Sequence, residues 1–466
     1  MKQLNGLPLD DDVVDRILMF SPDFVTLKSV ILTSKAFHNV FQLYPNSIVR
    51  AVAYNIVGPA LSQALRYVRY SDSGHETDTG DALDCEETGE YVPIKAHETV
   101  DLIRNAKMVK EMEKLFSLRH KDYKSKGTRL TFMESLRFQR AMYRIMLYCR
   151  IFDGEKYSEE HDPDNDSEDG DMAERLAEVR RERKKFLGAF SDEQLIQIHS
   201  VSRFLVETAS TFYFYRTANV LSDTSDNLGD IALSASPDVI YACYETGSSS
   251  ALVAYIDGWN DDILTNVRPM ISGYLSHPLA KLYEERKVKP PSTDTLQWKA
   301  ILDSVEGEND TCARCEDKVT KGSNLWGPTT YDFLTKVHSN FKSSLIIAYL
   351  PGHLRYNRVE GPYCMSLMSK IPPEENAYEY VVQDILDSDY KQDAFEDWKK
   401  DDHLCMSCLT KLLRENLHLW LLNKRIQAGD TVLAEDCWWG WNCRTQTHKQ
   451  THAEGKNHIC PQTRFT

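Results

Sequence analysis

Cysteine and histidine crowd the last third of this chain at spacings that suit metal. Cys312-Ala-Arg-Cys315 and Cys405-Met-Ser-Cys408 are two C-x-x-C pairs. Cys437-x5-Cys443 is followed by His452-x5-His458. A C-x-x-C turn places two thiolates on one knuckle, and two knuckles complete a tetrahedral four-thiolate zinc site. The knuckles lie about 90 residues apart, far beyond the usual 15–20 or so, so their pairing requires a long insertion between them. Two thiolates with two imidazoles suit a second zinc. Cys364 and His403 are substitute ligands for the first site, His448 and Cys460 for the second. A redox role for C-x-x-C calls for one pair at a helix start in a βαβ setting, which the sequence does not offer. The 11 cysteines are an odd number, which disfavours a disulfide framework.

No phosphate-cradling GxxxxGK[ST], no GxGxxG after a strand, no HExxH and no GxSxG occurs. Both proposed zinc sites can fill all four positions with protein ligands, leaving none open for catalysis. The expectation is a chain that is not an enzyme and carries two zinc ions.

The elements that must position these ligands read as mainly α. Residues 7–58 form four short helices. The first follows Asp10–Asp12, with Val13, Val14, Ile17 and Leu18 at helical spacing. Ser21-Pro22 starts the second, carrying Phe24, Leu27, Val30 and Ile31. Phe37, Val40 and Phe41 mark the third, and Asn46 or Ser47 caps the fourth. Two polar, acidic stretches, 71–90 and 153–171, read as disordered loops. Thr131-x-x-Glu134 and Ser191-x-x-Gln194 are capping boxes before apolar helices, and Ser236-Pro237 and His277-Pro278 start two more. From about residue 300, Pro, Gly, Trp and Cys become frequent and short strand-like runs appear. Ser344–Leu350 reads as a buried strand. One long helix carries Leu409, Leu412, Leu413, Leu417, Trp420 and Leu421 and ends near Gly429. The expected domains are 1–60, 92–305, 306–430 and 431–466: a helical head, a helical middle, and a zinc-stabilised α+β C-terminal region ending in a small finger.

Cys437-Trp438-Trp439-Gly440-Trp441-Asn442-Cys443, with the closing His452-x5-His458, resembles the poly(ADP-ribose)-binding zinc finger (PBZ) type. The spacer 444–451 is two residues longer than that family's, and Trp439 stands where it usually has Tyr or Phe. The resemblance implies that Cys437, Cys443, His452 and His458 are ligands, and that Trp439 and Arg444 stack on and hydrogen-bond an adenine–ribose unit. Leu7-Pro8, then Ile17-Leu18, Phe24, Leu27 and Val30, resemble an F-box. That resemblance implies that these seven residues dock the Skp-type adaptor of a cullin ubiquitin ligase. The order of "ESLRFQRAMYRI", "GENDTCARC" and the tail is also similar to a group of large fungal F-box-like proteins.

Net charge is −15, which argues against the whole chain coating a nucleic-acid backbone. From 437 to 466, however, Arg444, Lys449, Lys456 and Arg464 face one acid, Glu454. No apolar run reaches the roughly 18–20 residues of a membrane span, and the N-terminus lacks a secretory h-region, so a cytoplasmic or nuclear location is expected. The leading expectation is an F-box-like substrate adaptor with an unnamed protein target. The alternative is a poly(ADP-ribose) or nucleic-acid reader whose head is a structural cap.

Overall fold

The computed structural model describes residues 10–70, 92–121, 129–153, 169–213, 228–257, 271–290, 295–304, 310–315, 325–328, 330–331, 343–371, 377–429 and 435–464. It is mainly helical and divides into two compact units, residues 1–116 with 130–304, and residues 117–129 with 305–466. Leu7, Pro8 and the acidic stretch 71–90 lie outside the described residues.

The first unit opens with α1 (Asp11–Met19), α2 (Phe24–Thr33), α3 (Lys35–Leu43) and α4 (Pro45–Val57). Val14, Leu18, Leu27, Val40, Ile48 and Val52 form the core of this head, and Phe24, Val30, Ile31, Phe37 and Phe41 pack against it. The caps differ from those expected. Asp23, not Ser21, caps α2, its carboxylate accepting from Thr26 N at 2.6 Å. α4 begins at Pro45, whose missing N–H costs nothing in a first turn. Leu18 and Leu27 are enclosed by their own helices, and Phe24 and Val30 are partly so. Of the residues expected to dock on α1 and α2, Ile17 is exposed.

The rest of this unit contains α5 (Leu61–Arg69), α6 (Ala96–His120) up to Phe116, α7 (Phe132–Ile151), α8 (Asp169–Gly188), α9 (Asp192–Tyr213), α10 (Leu228–Ser234), α11 (Pro237–Thr246), α12 (Ser250–Asp257) and α13 (Ser276–Arg286). Both capping boxes form, Thr131 with Glu134 and Ser191 with Gln194. Of the acidic stretch 153–171 expected to be a loop, residues 154–168 lie outside the described residues, and Asp169–Asp171 already belong to α8. α13 starts one residue before His277. Phe116, Phe138, Phe204 and Trp298 form one aromatic cluster. In a second, Tyr148 Oη donates to Tyr274 O at 2.6 Å and Tyr274 Oη donates to Phe152 O at 2.7 Å. The buried methionines 112, 142 and 146 belong to this core.

The second unit is built around α16 (Met406–Gln427), which follows α14 (Glu360–Lys370) and α15 (Ala377–Asp387); α17 (Gln450–Gly455) comes last. Leu409, Leu412, Leu413, Leu417, Trp420 and Leu421 bury one face of α16. Trp420 Nε1 donates to Asp384 Oδ2 of α15 at 2.7 Å. The strand expected over Ser344–Leu350 is instead a 3₁₀ helix, Ser343–Tyr349. A short apolar run does not distinguish strand from buried helix. Among the described residues the sheet is one antiparallel pair, β1 (Leu325–Trp326) with β2 (Leu404–Cys405), so the region is less β than expected.

Candidate metal centres

Cys312, Cys315, Cys405 and Cys408 bring one sulfur each to a single point, all within 4.8 Å of one another. The register Leu325↔Cys405 sets one knuckle at the end of β2, and Cys405 is also the N-cap of α16, its Sγ accepting from Cys408 N. A helix N-terminus offers free N–H groups and a positive field, both of which favour thiolate. The other knuckle is tied to this one. Ala313 N donates to His403 O at 3.0 Å. Arg314 donates from Nε to Asp402 Oδ2 at 2.7 Å and from Nη1 to Asp397 Oδ2 at 2.8 Å, with its guanidinium 5.5 Å from the Trp398 ring centre. These ties hold together two knuckles that the sequence separates by 90 positions.

Burial pushes the Cys312 thiol up, but the N–H groups of Cys405, Cys315 and Arg314 outweigh it and bring the thiol down to about 7. Cys408 is raised by burial and then by its sulfur neighbours. Four thiols sharing one pocket cannot all ionise without a cation, and a divalent ion removes that conflict.

Cys437, Cys443, His452 and His458 form a second group, its ligand atoms also within 4.8 Å of one another. His452 Nε2 lies 3.4 Å from Cys443 Sγ and 3.8 Å from Cys437 Sγ. His458 is 1% exposed, and neither of its ring nitrogens has a hydrogen-bond partner. Burial, then the neighbouring His452, lowers it to about 4. An unpaired buried imidazole costs about 1–3 kcal/mol, and coordination removes that cost. Gly440 shapes the turn between the cysteines. Its φ is +46°, and a Cβ there would meet Cys460 O at 2.1 Å, so no larger residue fits.

The substitute ligands fall outside both groups. Cys460 Sγ donates to the carbonyls of Cys437 and Asn457, and burial raises its thiol to about 11. His448 is exposed. Cys364 is buried, its thiol pushed up to about 12. His403 packs where a Cβ on Gly327 would stand.

Trp439 is half-buried and Arg444 exposed. Two relationships in the finger carry no signal in the spacing. Trp438 is exposed, with the Arg464 guanidinium 5.4 Å from its ring centre. Trp441 turns away from the finger to meet His418 of α16, centroids 5.2 Å apart. His353 N donates to Trp441 O at 2.8 Å, and Asn357 Nδ2 donates to the buried Gln446 Oε1 at 2.8 Å. Gly352 (φ +53°) allows this approach, since a Cβ would lie 2.5 Å from Asn442 Oδ1. The finger is thus packed into the second unit. No helix among the described residues is long and apolar enough to cross a membrane.

The chain is 44% identical over 69 residues to the E3 ubiquitin-protein ligase CHFR of Pongo abelii and to that of Homo sapiens. The match covers 14% of this chain, 12% of the first relative and 10% of the second. The chain thus spans about a tenth of the length of these relatives. No family model and no solved structure matches. The similarity is local, and it is to an enzyme. It overturns the expectation, drawn from the lack of nucleotide-binding and hydrolase motifs and from zinc sites without an open position, that the chain is not an enzyme.

Proposed function

We propose that the chain is a zinc-dependent component of ubiquitin ligation. Its head docks an Skp-type adaptor of a cullin ligase, and its metal-held C-terminal unit serves in engaging a protein target. The two donor sets, four thiolates in one and two thiolates with two imidazoles in the other, suit zinc. The similarity to CHFR supports the ubiquitin connection.

One observation carries the docking. Val13, Ile17 and Phe20 lie at helical i, i+4, i+7 spacing and are exposed, as are Val25 and Leu32 of α2, while the neighbouring Val14, Leu18 and Leu27 are sealed in the core. Apolar side chains left in water on short helices are the usual contribution to helix-in-groove recognition. Bringing a target near the ligase raises its effective concentration.

Co-purification of the full, zinc-loaded chain with the Skp adaptor tests this reading. The double variant Ile17→Asp/Phe20→Asp is expected to lose the adaptor yet keep its helical spectrum. No binding by folded wild-type protein would end the adaptor reading.

A second reading draws on the finger. Exposed Arg444 and half-buried Trp439 stand where the PBZ resemblance puts ligand contacts, and the exposed Trp438–Arg464 pair adds another ring and another cation. In this reading the finger binds poly(ADP-ribose) or a nucleic acid, and the head is a structural cap.

A further inference from the structure

We infer that the anion-binding surface of the C-terminal unit is composite, made by the finger together with the segment 353–359, and that it takes a phosphate-linked chain of nucleotides. The inference rests on the second reading of the finger and extends it to residues outside the finger.

The two segments are joined. Arg358 N donates to Gln446 O at 3.3 Å, and Arg358 Nε donates to Thr447 O at 3.1 Å. Thr447 belongs to a 3₁₀ turn, Thr445–Thr447, with Arg444 before it and His448 and Lys449 after it. Leu354–Tyr356 forms another short turn, which packs against the first. Arg355, Tyr356, Arg358, Arg444, His448 and Lys449 are all exposed.

Charge sets the ligand class. Residues 343–359 and 437–453 contain no Asp or Glu, in a chain whose net charge is −15. Of the bordering acids, Glu360 is buried and paired with Arg425, while Asp436 and Glu454 accept from the amides of Asn457 and Gln450. The surface therefore presents four cations, Arg355, Arg358, Arg444 and Lys449, with no acid inside either run. Guanidinium groups match phosphate oxygens.

Stacking narrows the class to nucleotides. Tyr356 is an exposed ring with the Arg355 guanidinium 4.6 Å from its centre. Exposed rings beside cations are the common platform for single-stranded bases. A protein segment rich in acids would use the cations and leave the ring idle.

The test uses the full, zinc-loaded chain and anisotropy over a range of salt, with a labelled single-stranded oligoribonucleotide and with labelled poly(ADP-ribose). The variants are Arg444→Glu, Arg355→Glu and Tyr356→Ala, each checked for unchanged zinc content and melting. Arg355→Glu and Arg444→Glu are each expected to weaken binding and to flatten the salt slope by about 0.7–1, the value for one phosphate left without its cation. Tyr356→Ala is expected to weaken binding at high salt as well, because stacking is not screened. Preference for one polymer, with the same dependence on Arg355, supports the inference and identifies the source of the nucleotides. Sensitivity to Arg444 with none to Arg355 or Tyr356 confines binding to the finger and overturns the composite surface. No binding of either polymer by the wild-type chain overturns the inference and the second reading together.

Discussion

The imidazole of His418, in the middle of α16, stands edge-on to the indole of Trp441, with ring centroids 5.2 Å apart. Cys405 caps the start of that helix, and Cys408, in its first turn, completes the four-cysteine group that could hold a first metal ion. One helix therefore carries two cysteines of the first candidate centre and, further along, the contact that seats the segment bearing the second. The finger's own core is small: the buried side chains near its ligands are Gln446, Ala453, Ile459 and Cys460. So small a core leans on its contact with α16, and a bound metal would add to its hold.

Trp441→Ala removes that ring pair while leaving all eight proposed ligands in place. The indole is only partly buried, so the expected loss is about 2 kcal/mol, below the roughly 3–5 kcal/mol of a fully enclosed Trp. Limited proteolysis of the zinc-loaded variant should cut the finger away from the unit sooner than in the wild type. Equal melting and equal cleavage would show the ring pair to be incidental.

His418 gives the second unit a dependence on acid. Burial lowers it to about 4 from an ordinary 6.5. The unfolded chain therefore binds a proton between these values that the folded chain refuses. Stability from this group is fully present above pH 6.5 and is lost as pH falls toward 4. Protonation of the metal ligands acts in the same direction, so the informative quantity is a difference. His418→Phe is expected to lose about 2 kcal/mol less than the wild type between pH 7 and pH 4.5. Parallel curves for the two proteins in urea titrations would assign the whole dependence to the ligands.

The two Cys/His groups are legible in the sequence because thiol and imidazole spacing is local: C-x-x-C, Cys437-x5-Cys443 and His452-x5-His458 each fit one turn or loop. The partners of Arg314 and Trp441 are not. Arg314 finds Asp402 88 positions away, and contacts at that range leave no period in a sequence. The head shows a second kind of limit. Ile17 and Leu18 are both apolar, yet adjacent helical positions point about 100° apart, so one can be core and the other surface. Residue type alone does not say which; the structure puts Leu18 inside and Ile17 outside. The run Ser344–Leu350 reads as a strand but folds otherwise, because β-branched and apolar residues suit a buried 3₁₀ turn as well as a strand.

Metal content separates ligands from bystanders. The wild-type chain is expected to carry two zinc ions, and Cys408→Ser or His458→Ala about one. Cys460→Ser and Cys364→Ser should keep both, since those thiols bond carbonyls or pack in a core. Chelation should loosen residues 310–464 and spare the aromatic clusters around Phe138 and Tyr148, which need no metal. Mass spectrometry of the native proteins reads the counts directly. A loss of zinc from Cys460→Ser, or retention of both ions by Cys408→Ser, would redraw the ligand sets.

Arg314 links the two knuckles of the first candidate centre without being one of its four sulfur donors. Its side chain is 13% exposed and that of Asp402 is 14% exposed, and the guanidinium bonds the carboxylate from both Nε and Nη2 while Asp397 takes Nη1. Asp402 also accepts from Lys399 N at 2.7 Å, which fixes the turn leading into Cys405. Partners of this kind hold ligands in register, and their removal commonly lowers metal affinity by about 10–100-fold. Arg314→Ala should therefore release the first zinc to a colorimetric chelator at lower chelator concentration while the second stays bound. Arg314→Lys keeps a charge but loses the planar fork that meets Asp402 and Asp397 together, so it should fall closer to Ala than to the wild type. Rescue by Lys to wild-type retention would make the charge alone sufficient. Equal release of both ions would mean that Arg314 serves the whole unit rather than the first centre.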